Sequence, residues 1–138
     1  MKSQSKTLVV AGGARTAIGH FASSLTDIPP ADLLVNAVQA TLSRSKLPSE
    51  AVDGLLVGWV AQSFSAPNIA RVAVLKAGLP ETTQAVTFQN NCISSIESVA
   101  SACRFIMAGE GELYLAGGVE VMSGIPYSID GNRAAKAL

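Results

Sequence analysis

The run Gln84-Ala-Val-Thr-Phe88 is short, largely apolar and partly β-branched, and Asn90-Asn91-Cys92 follows it almost at once. From Cys92 to Ala108 the apolar residues recur at a helical period, which indicates a change from strand to helix at Cys92. The first turn of a helix carries unpaired N–H groups and the positive end of the helix dipole. A cysteine at that place has its thiolate favoured, and the thiolate is the nucleophilic form. The stretch makes Cys92 a candidate nucleophile, although on position alone a small core residue is the commoner role.

Strands and helices are predicted to alternate on both sides of this stretch. The sequence predicts strands at residues 7–11, 52–60, 83–89 and 113–116, and helices at 31–45, 68–76 and 92–108. A strand–helix–strand order favours a mostly parallel sheet with right-handed crossovers and helices on its faces. The strands are apolar without alternation, which is typical of burial on both sides. The predicted fold class is therefore α/β.

Particular residues predict where the helices begin, end and pack. Pro30 suits the first turn of the first helix, and Gly78 and Gly109 are expected to end the second and third. Ser94 and Glu97 fit a capping box at the start of the third helix. The predicted core-facing stripe of that helix consists of Ile96, Val99, Ala100, Cys103, Ile106 and Met107.

The composition is poor in charge. Charged residues make up 14% of the 138-residue chain and hydrophobic residues 49%, against about 25% charged in typical soluble domains. Much of the surface is therefore expected to be buried against further polypeptide or a second subunit, and an ordinary monomer with a weakly charged surface is the alternative. The 10 basic and 10 acidic residues form no basic stripe, so nucleic acid is not an expected partner. No apolar run approaches the length of a transmembrane helix.

The N-terminus and the cysteines bear on compartment and metal binding. The apolar run 7–11 is too short for a signal peptide, which favours a cytoplasmic, reducing setting. Cys92 and Cys103 would lie about 16 Å apart on one helix, too far for a disulfide, and Cys103 is interpreted as a core residue. His20 is the only histidine; it is expected to be a solvated loop residue, and no metal site is predicted.

Several ordered motifs resemble the thiolase family over nearly the whole chain. They include the opening Ala14-Arg-Thr-Ala-Ile-Gly19, with Ala17 where proline is usual in thiolases. The other matching stretches are Asn90 to Ser95 around Cys92, Asn68-Ile-Ala-Arg71, Ala77-Gly-Leu-Pro80, Ile106-Met-Ala-Gly109, Ala116-Gly-Gly-Val-Glu-Val-Met-Ser123 and Pro126-Tyr127.

The resemblance implies an acyltransferase of thiolase type in the protein's full-length form. The thiolase cysteine in Cys92's place takes the acyl group from an acyl-CoA thioester for Claisen condensation or thiolytic cleavage, and its own N–H helps form an oxyanion hole. Coenzyme A thioesters are thus the implied substrates, with no permanently bound cofactor and a homodimer or homotetramer as the assembly. The fold implied is the N-terminal half of a thiolase, with residues 1–123 as part of the N-terminal domain and 124–138 as the start of the loop segment.

Some features depart from the family pattern or leave alternatives open. Ile93 stands beside Cys92 where thiolases have a small residue, which bears on the substrate and keeps a decarboxylating condensing enzyme as a variant. The family's catalytic histidine and second cysteine are expected beyond Leu138, so the 138-residue chain alone is predicted to be inactive. The alternative function is a non-catalytic or split module that acts with a partner chain. Glu120 is interpreted as a buried structural hydrogen-bonding group, Gly117-Gly118 as a close-packed strand exit, and Gly12-Gly13 as unrelated to phosphate binding.

Overall fold

Helices and strands alternate along the chain from residue 30 onward. The computed structural model describes residues 7–130. Its helices are α1 (Pro30–Ser45), α2 (Ile69–Ala77) and α3 (Ser94–Ala108), and its strands are β1 (Gly54–Gly58), β2 (Gln84–Phe88) and β3 (Tyr114–Gly118). Short 3₁₀ turns cover Ser49–Ala51 and Met122–Gly124. All three predicted helices and three of the four predicted strands are confirmed, with bounds that differ by at most two residues at either end.

The sheet is parallel, in the order β2-β1-β3. Gly54 of β1 pairs with Gln84 and Tyr114, and Gly58 pairs with Phe88 and Gly118. The chain moves one position from β1 to β2 and then back across the sheet to β3. With right-handed crossovers, this order places α2 and α3 on opposite faces. The fold class predicted from the sequence, α/β with a parallel sheet and helices, is confirmed.

The helix ends follow the local chemistry of the sequence. Pro30 opens α1, where its missing N–H costs no hydrogen bond. The side chain of Asn68 accepts a hydrogen bond from the Arg71 N–H and caps α2. Gly78 and Gly109 end α2 and α3 in the left-handed conformation, at φ 78° and 82°, as the sequence predicts.

The hydrophobic core lies between β1 and the two helices α1 and α2. All five residues of β1 are buried, and Leu55 and Val57 belong to the core cluster. Leu34 and Val38 of α1 join them, with Ile69 and Val74 of α2 fully buried. β1 is therefore buried on both faces, as its apolar sequence predicts.

The strand predicted at residues 7–11 is wrong. This segment has no regular secondary structure, and Val9 and Val10 are 81% and 92% exposed. An apolar, β-branched sequence forms a strand only where a neighbouring edge supplies a ladder of hydrogen bonds. Here residues 8–14 instead border an open groove of about 480 Å³, whose other side is formed by β3 and α3.

The core-facing stripe predicted for α3 is also wrong in its direction. The buried residues of α3 are Ser94, Ser98, Ser101 and Ala102, whereas Ile96, Val99 and Met107 are 70%, 46% and 69% exposed. The reason is steric, because α3 lies so close to the backbone of β1 and β3 that only small side chains fit between them. The apolar face of α3 is consequently only partly covered: Ala100, Cys103 and Ile106 are half-buried, and Cys103 and Ile106 border the groove beside β3.

Candidate active site

Cys92 lies in the short turn that joins β2 to α3. Its side chain is exposed, and it precedes the first helical residue, Ser94, by two positions. Because β1, β2 and β3 are parallel, their carboxyl ends meet at one edge of the sheet, and the turn follows that end of β2. This edge is where ligands gather in open α/β folds. The structure thus places the predicted nucleophile at an accessible position beside the start of a helix.

The turn around Cys92 is closed by the hydroxyl of Ser94. Ser94 Oγ accepts a hydrogen bond from the Asn90 N–H at 2.8 Å and donates to the Asn91 carbonyl oxygen at 2.6 Å. The N–H groups of Ile93 and Ser94 donate to the carbonyls of Asn90 and Asn91. Asn91 adopts a left-handed conformation, with φ 48°, which asparagine tolerates better than most residues.

The capping box predicted at Ser94 and Glu97 is wrong. The hydroxyl of Ser94 points back into the turn, and no side chain caps α3. The Glu97 carboxylate instead accepts hydrogen bonds from Arg104 at 2.7 Å and from the Ser101 hydroxyl at 3.2 Å. The hydrogen bond from Arg104 lowers the pKa of the Glu97 carboxyl, and that from Ser101 adds to the effect. Glu97 therefore belongs to a partly exposed cluster further along the helix, in which Arg104 is exposed and Ser101 is buried.

Two glycines allow the first turn of α3 to contact the sheet. A Cβ atom on Gly58, at the end of β1, would overlap the backbone of Ser94 and Ser95. One on Gly118, at the end of β3, would overlap the Ser95 hydroxyl. The close packing predicted near Cys92 is confirmed for Gly118, whereas Gly117 has open space where a Cβ would lie.

Ser98 attaches the same turn of the helix to β3. Its hydroxyl is fully buried and lies 2.8 Å from the Gly117 carbonyl oxygen and 2.7 Å from the Ser95 carbonyl oxygen. A buried hydroxyl needs such partners, since leaving it unpaired is costly. The start of α3 is thereby fixed to the sheet through both packing and hydrogen bonds.

Glu120 joins the loops that follow β1 and β3. Its carboxylate accepts hydrogen bonds from Trp59 Nε1, the Val60 N–H and the Ala61 N–H, each at 3.1 Å. The structural role predicted for Glu120 agrees with these bonds, but the residue is exposed and not buried. Trp59, at 2% exposure, is a core residue as predicted.

His20 and Cys103 lie apart from the Cys92 turn. His20 is exposed and borders a groove of about 390 Å³ between the first loop and residues 118–123, which Cys92 does not line. Cys103 is predicted to be a core residue, but it is only half-buried on α3. Both cysteines are free thiols. Within residues 7–130, the structure places no histidine and no second cysteine in the turn that carries Cys92.

Sequence reasoning missed the parts that hold Cys92 in place. The sequence does not indicate that the Ser94 hydroxyl closes the turn, because a serine followed by glutamate three residues later is the usual signal of a capping box. Gly58 carried a usable signal, since a glycine ending an otherwise apolar strand often marks a close approach of another backbone.

The described residues contain neither a membrane-spanning helix nor a cluster of metal ligands. Across residues 7–130, no helix has the length and apolar character that would let it cross a membrane. The same residues contain no group of three or more His, Cys, Asp or Glu side chains arranged to hold a metal ion.

These features define an α/β protein whose candidate site lies at the carboxyl edge of a parallel sheet. A family model described as the thiolase N-terminal domain matches residues 8–137. The chain therefore belongs to the thiolase family, and the resemblance found in its motifs is confirmed.

Relatives and solved structures agree with this assignment. An acetyl-CoA acetyltransferase of Cupriavidus necator is 39% identical over 126 residues, and one of Escherichia coli is 40% identical over 125. The crystal structure of the Bacillus anthracis acetyl-CoA acetyltransferase matches with a TM-score of 0.87 and 34% identity. An Ascaris suum thiolase in complex with coenzyme A matches with a TM-score of 0.85 and 30% identity, covering 88% of this chain.

The matches cover most of this chain but a minor part of each relative. The alignments with the Cupriavidus, Escherichia and Bacillus proteins each cover 91% of this chain and 32% of the other protein. The chain thus spans about a third of the length of its relatives.

Proposed function

We propose that the protein, at its full natural length, is an acyltransferase of thiolase type that uses Cys92 as its nucleophile. The observation that carries the proposal is the exposed Cys92 at the start of α3, in a chain that belongs to the thiolase family. Acyl-CoA is the proposed substrate because relatives are named acetyl-CoA acetyltransferases and one solved relative holds coenzyme A.

The proposed first step is transfer of the acyl group to sulfur. The Cys92 thiolate attacks the thioester carbonyl carbon, a tetrahedral oxyanion forms, and the bond to the CoA sulfur breaks with its electron pair leaving on CoA. The N–H groups of Ile93 and Ser94 already donate within the turn. The oxyanion is therefore assigned to the Cys92 N–H together with donors from outside this turn.

The proposed second step joins a second acyl-CoA to the bound acyl group, or returns the acyl group to CoA. It requires a general base, and within residues 7–130 no histidine lies in the Cys92 turn. Proton transfer by a positioned base contributes about 10²–10⁴-fold. We therefore assign the general base to other residues of the full-length protein. The assembled enzyme is proposed to be a homodimer or a homotetramer.

Isotope exchange between labelled CoA and unlabelled acetyl-CoA tests the first step alone. We expect the protein at its full natural length to move label into acetyl-CoA without a second acyl substrate, which is the sign of a covalent acyl intermediate. The Cys92→Ser variant should lose the exchange, and Cys103→Ser, the matched control on the helix that follows, should keep it. Equal exchange by the wild type and Cys92→Ser would contradict the proposal.

A protein that exchanges no label, yet binds a partner chain, would favour the alternative function of a non-catalytic module. The exposed apolar face of α3 is the observation behind that alternative, because such a face can serve as a contact surface.

A further inference from the structure

The Ser94 hydroxyl connects the residues before Cys92 with the residue that starts the helix after it. It accepts from the N–H of Asn90, before the cysteine and its neighbour Asn91, and it belongs to the residue two positions after Cys92. Its own proton goes to the Asn91 carbonyl. One side chain therefore uses its donor and one acceptor position to close the turn from Asn90 to Ser94.

The Ser94 side chain itself is shielded from solvent. Ser94 is 2% exposed, although its two partners, Asn90 and Asn91, are exposed residues. Removing Oγ would take away the side-chain acceptor of the Asn90 N–H and the side-chain donor to the Asn91 carbonyl, and each lost hydrogen bond weakens the closed form of the turn.

The backbone conformation of the turn depends on such bonds. Asn91, directly before Cys92, lies in the left-handed region at φ 48°. A non-glycine residue stays in that region when surrounding contacts hold it there. The carbonyl of this same Asn91 accepts both the Ser94 hydroxyl and the Ser94 N–H, so Ser94 supplies two of the bonds that fix it.

The helix itself is held independently of the Ser94 hydroxyl. Gly58 and Gly118 allow the first turn of α3 to contact the sheet, and the Ser98 hydroxyl contacts the Gly117 carbonyl. Loss of the Ser94 hydroxyl should therefore loosen the turn while leaving α3 in place. The structure separates positioning of the cysteine from stability of the helix.

We propose that Ser94 is a positioning residue that sets the orientation of Cys92 for attack on the acyl-CoA thioester. The inference rests on the proposed function. Misplacement of a reacting group by about 1 Å can cost about 100-fold in rate, so removal of the hydroxyl should lower the rate of acyl transfer with little effect on substrate binding.

The test compares Ser94→Ala with the wild type in CoA exchange at the full natural length of the protein. We expect kcat to fall by about 10-fold to 100-fold while KM for acetyl-CoA changes by less than about twofold. Rates are expressed per Cys92 that accepts an acetyl group, so a loss of folded protein alone would lower the number of sites but not kcat. Ser101→Ala is the matched control, since Ser101 is also buried on α3, at 4% exposure, and lies away from the turn; it should leave kcat unchanged.

A second pair of variants applies if Ser94→Ala does not fold. Threonine and valine have nearly the same shape, so Ser94→Thr and Ser94→Val differ in the hydroxyl alone. We expect the threonine variant to be faster than the valine variant by at least about tenfold in kcat.

The outcomes separate this inference from the proposed function. A wild-type kcat in Ser94→Ala, or equal rates for the threonine and valine variants, would overturn the positioning role while Cys92 remains the nucleophile. Absence of exchange in the wild type itself would overturn both.

Discussion

Ile93 places a branched side chain next to the proposed nucleophile. It is 54% exposed, directly follows Cys92 and precedes the first residue of α3. The sequence could identify this residue as a departure from the thiolase pattern, because that needs only the order of residues. Because Ile93 directly follows Cys92, we expect the size of its side chain to limit which acyl groups fit at the site.

Replacing Ile93 with alanine should shift the substrate preference towards longer acyl chains. We expect Ile93→Ala at the full natural length to raise the ratio of kcat/KM for hexanoyl-CoA over acetyl-CoA by about 10-fold, since a pocket discriminates about 10-fold to 200-fold per methylene at most. Val99→Ala, a substitution on the exposed face of α3, is the control and should leave the ratio unchanged. An unaltered ratio in Ile93→Ala would show that the branch does not border the acyl group.

Gly58 and Gly117 form a matched pair of glycines near the start of α3. A Cβ on Gly58 would overlap the Ser94 and Ser95 backbone, whereas one on Gly117 would meet no atom within 4 Å. We expect Gly58→Ala to lower the free energy of unfolding by about 1–3 kcal/mol, as overpacking does, and Gly117→Ala to change it by less than about 0.5 kcal/mol. Urea denaturation followed through Trp59 measures both, and equal effects of the two substitutions would contradict the contact.

At the scale of the elements, Asp53 joins the amino ends of β1 and β3. Its carboxylate accepts hydrogen bonds from the N–H groups of Glu112 at 2.7 Å and Leu113 at 2.9 Å. The bond from Glu112, followed by that from Leu113, lowers the pKa of the Asp53 carboxyl below its ordinary value of 3.8. Because the folded-state pKa is the lower one, this stabilisation is present above the unfolded pKa and is lost as pH falls through the folded pKa.

The stability difference between wild type and Asp53→Asn should therefore depend on pH. We expect the variant to be less stable than the wild type at about pH 7 and the difference to be smaller at about pH 3, because the stabilisation is lost as pH falls through the lowered pKa of the wild-type carboxyl. Asp27→Asn, at an exposed loop position, is the control. Urea unfolding at both pH values measures the effect, and a difference that is independent of pH would rule out the carboxylate as its source.

The sequence predicts the existence and order of most elements because their signals are local. Pro30, Gly78 and Gly109 mark helix ends through their own backbone preferences, and the apolar run of β1 is buried on both faces. The strand at residues 7–11 fails because strand formation depends on a partner edge, which composition does not supply.

The direction of α3 could not be predicted from hydrophobicity for a related reason. Periodicity identifies a helix with an apolar face, but the packing distance decides which face meets the sheet. The backbone at Gly58 and Gly118 approaches α3 so closely that the serine face fits and the Ile96 face does not. The turn around Cys92 depends on local hydrogen bonds of Ser94 to Asn90 and Asn91, which the serine-to-glutamate spacing of a capping box does not indicate.

At the scale of the whole molecule, large apolar side chains are exposed on several elements. Phe64 is 98% exposed, Val10 92% and Ile96 70%, and charged residues make up 14% of the chain. Val10 and Val99 also border one groove of about 480 Å³, and contiguous exposed apolar surface favours association. It supports the prediction from composition that much of this surface is covered by further polypeptide or a second subunit.

The 138-residue chain by itself should therefore associate in solution. We expect its average mass in light scattering after size exclusion to rise with protein concentration, because burying the exposed apolar face of α3 in a contact between chains lowers the free energy. Replacing Ile96 and Met107 together with serine should weaken the association, whereas replacing the exposed Gln39 and Ser43 of α1 with alanine should not. A monomeric mass at all concentrations would contradict this prediction.

The same chain should show no thiolase turnover. The chain spans about a third of the length of its relatives, and the proposed mechanism assigns the positioned base to other residues of the full-length protein. Residues 1–138 with no added chain are therefore expected to condense or cleave no acyl-CoA. Detectable turnover by this chain alone would contradict that assignment.

The role of Cys92 as the nucleophile is tested most directly by locating the acetyl group after the protein, at its full natural length, is mixed with acetyl-CoA. The reaction is stopped with acid, the protein is digested, and the peptides are identified by mass spectrometry. We expect one acetyl group, on the peptide that carries Cys92, and none on that peptide in Cys92→Ser. An acetyl group found only on another residue, or no acetyl group at all, would contradict the claim that Cys92 is the nucleophile.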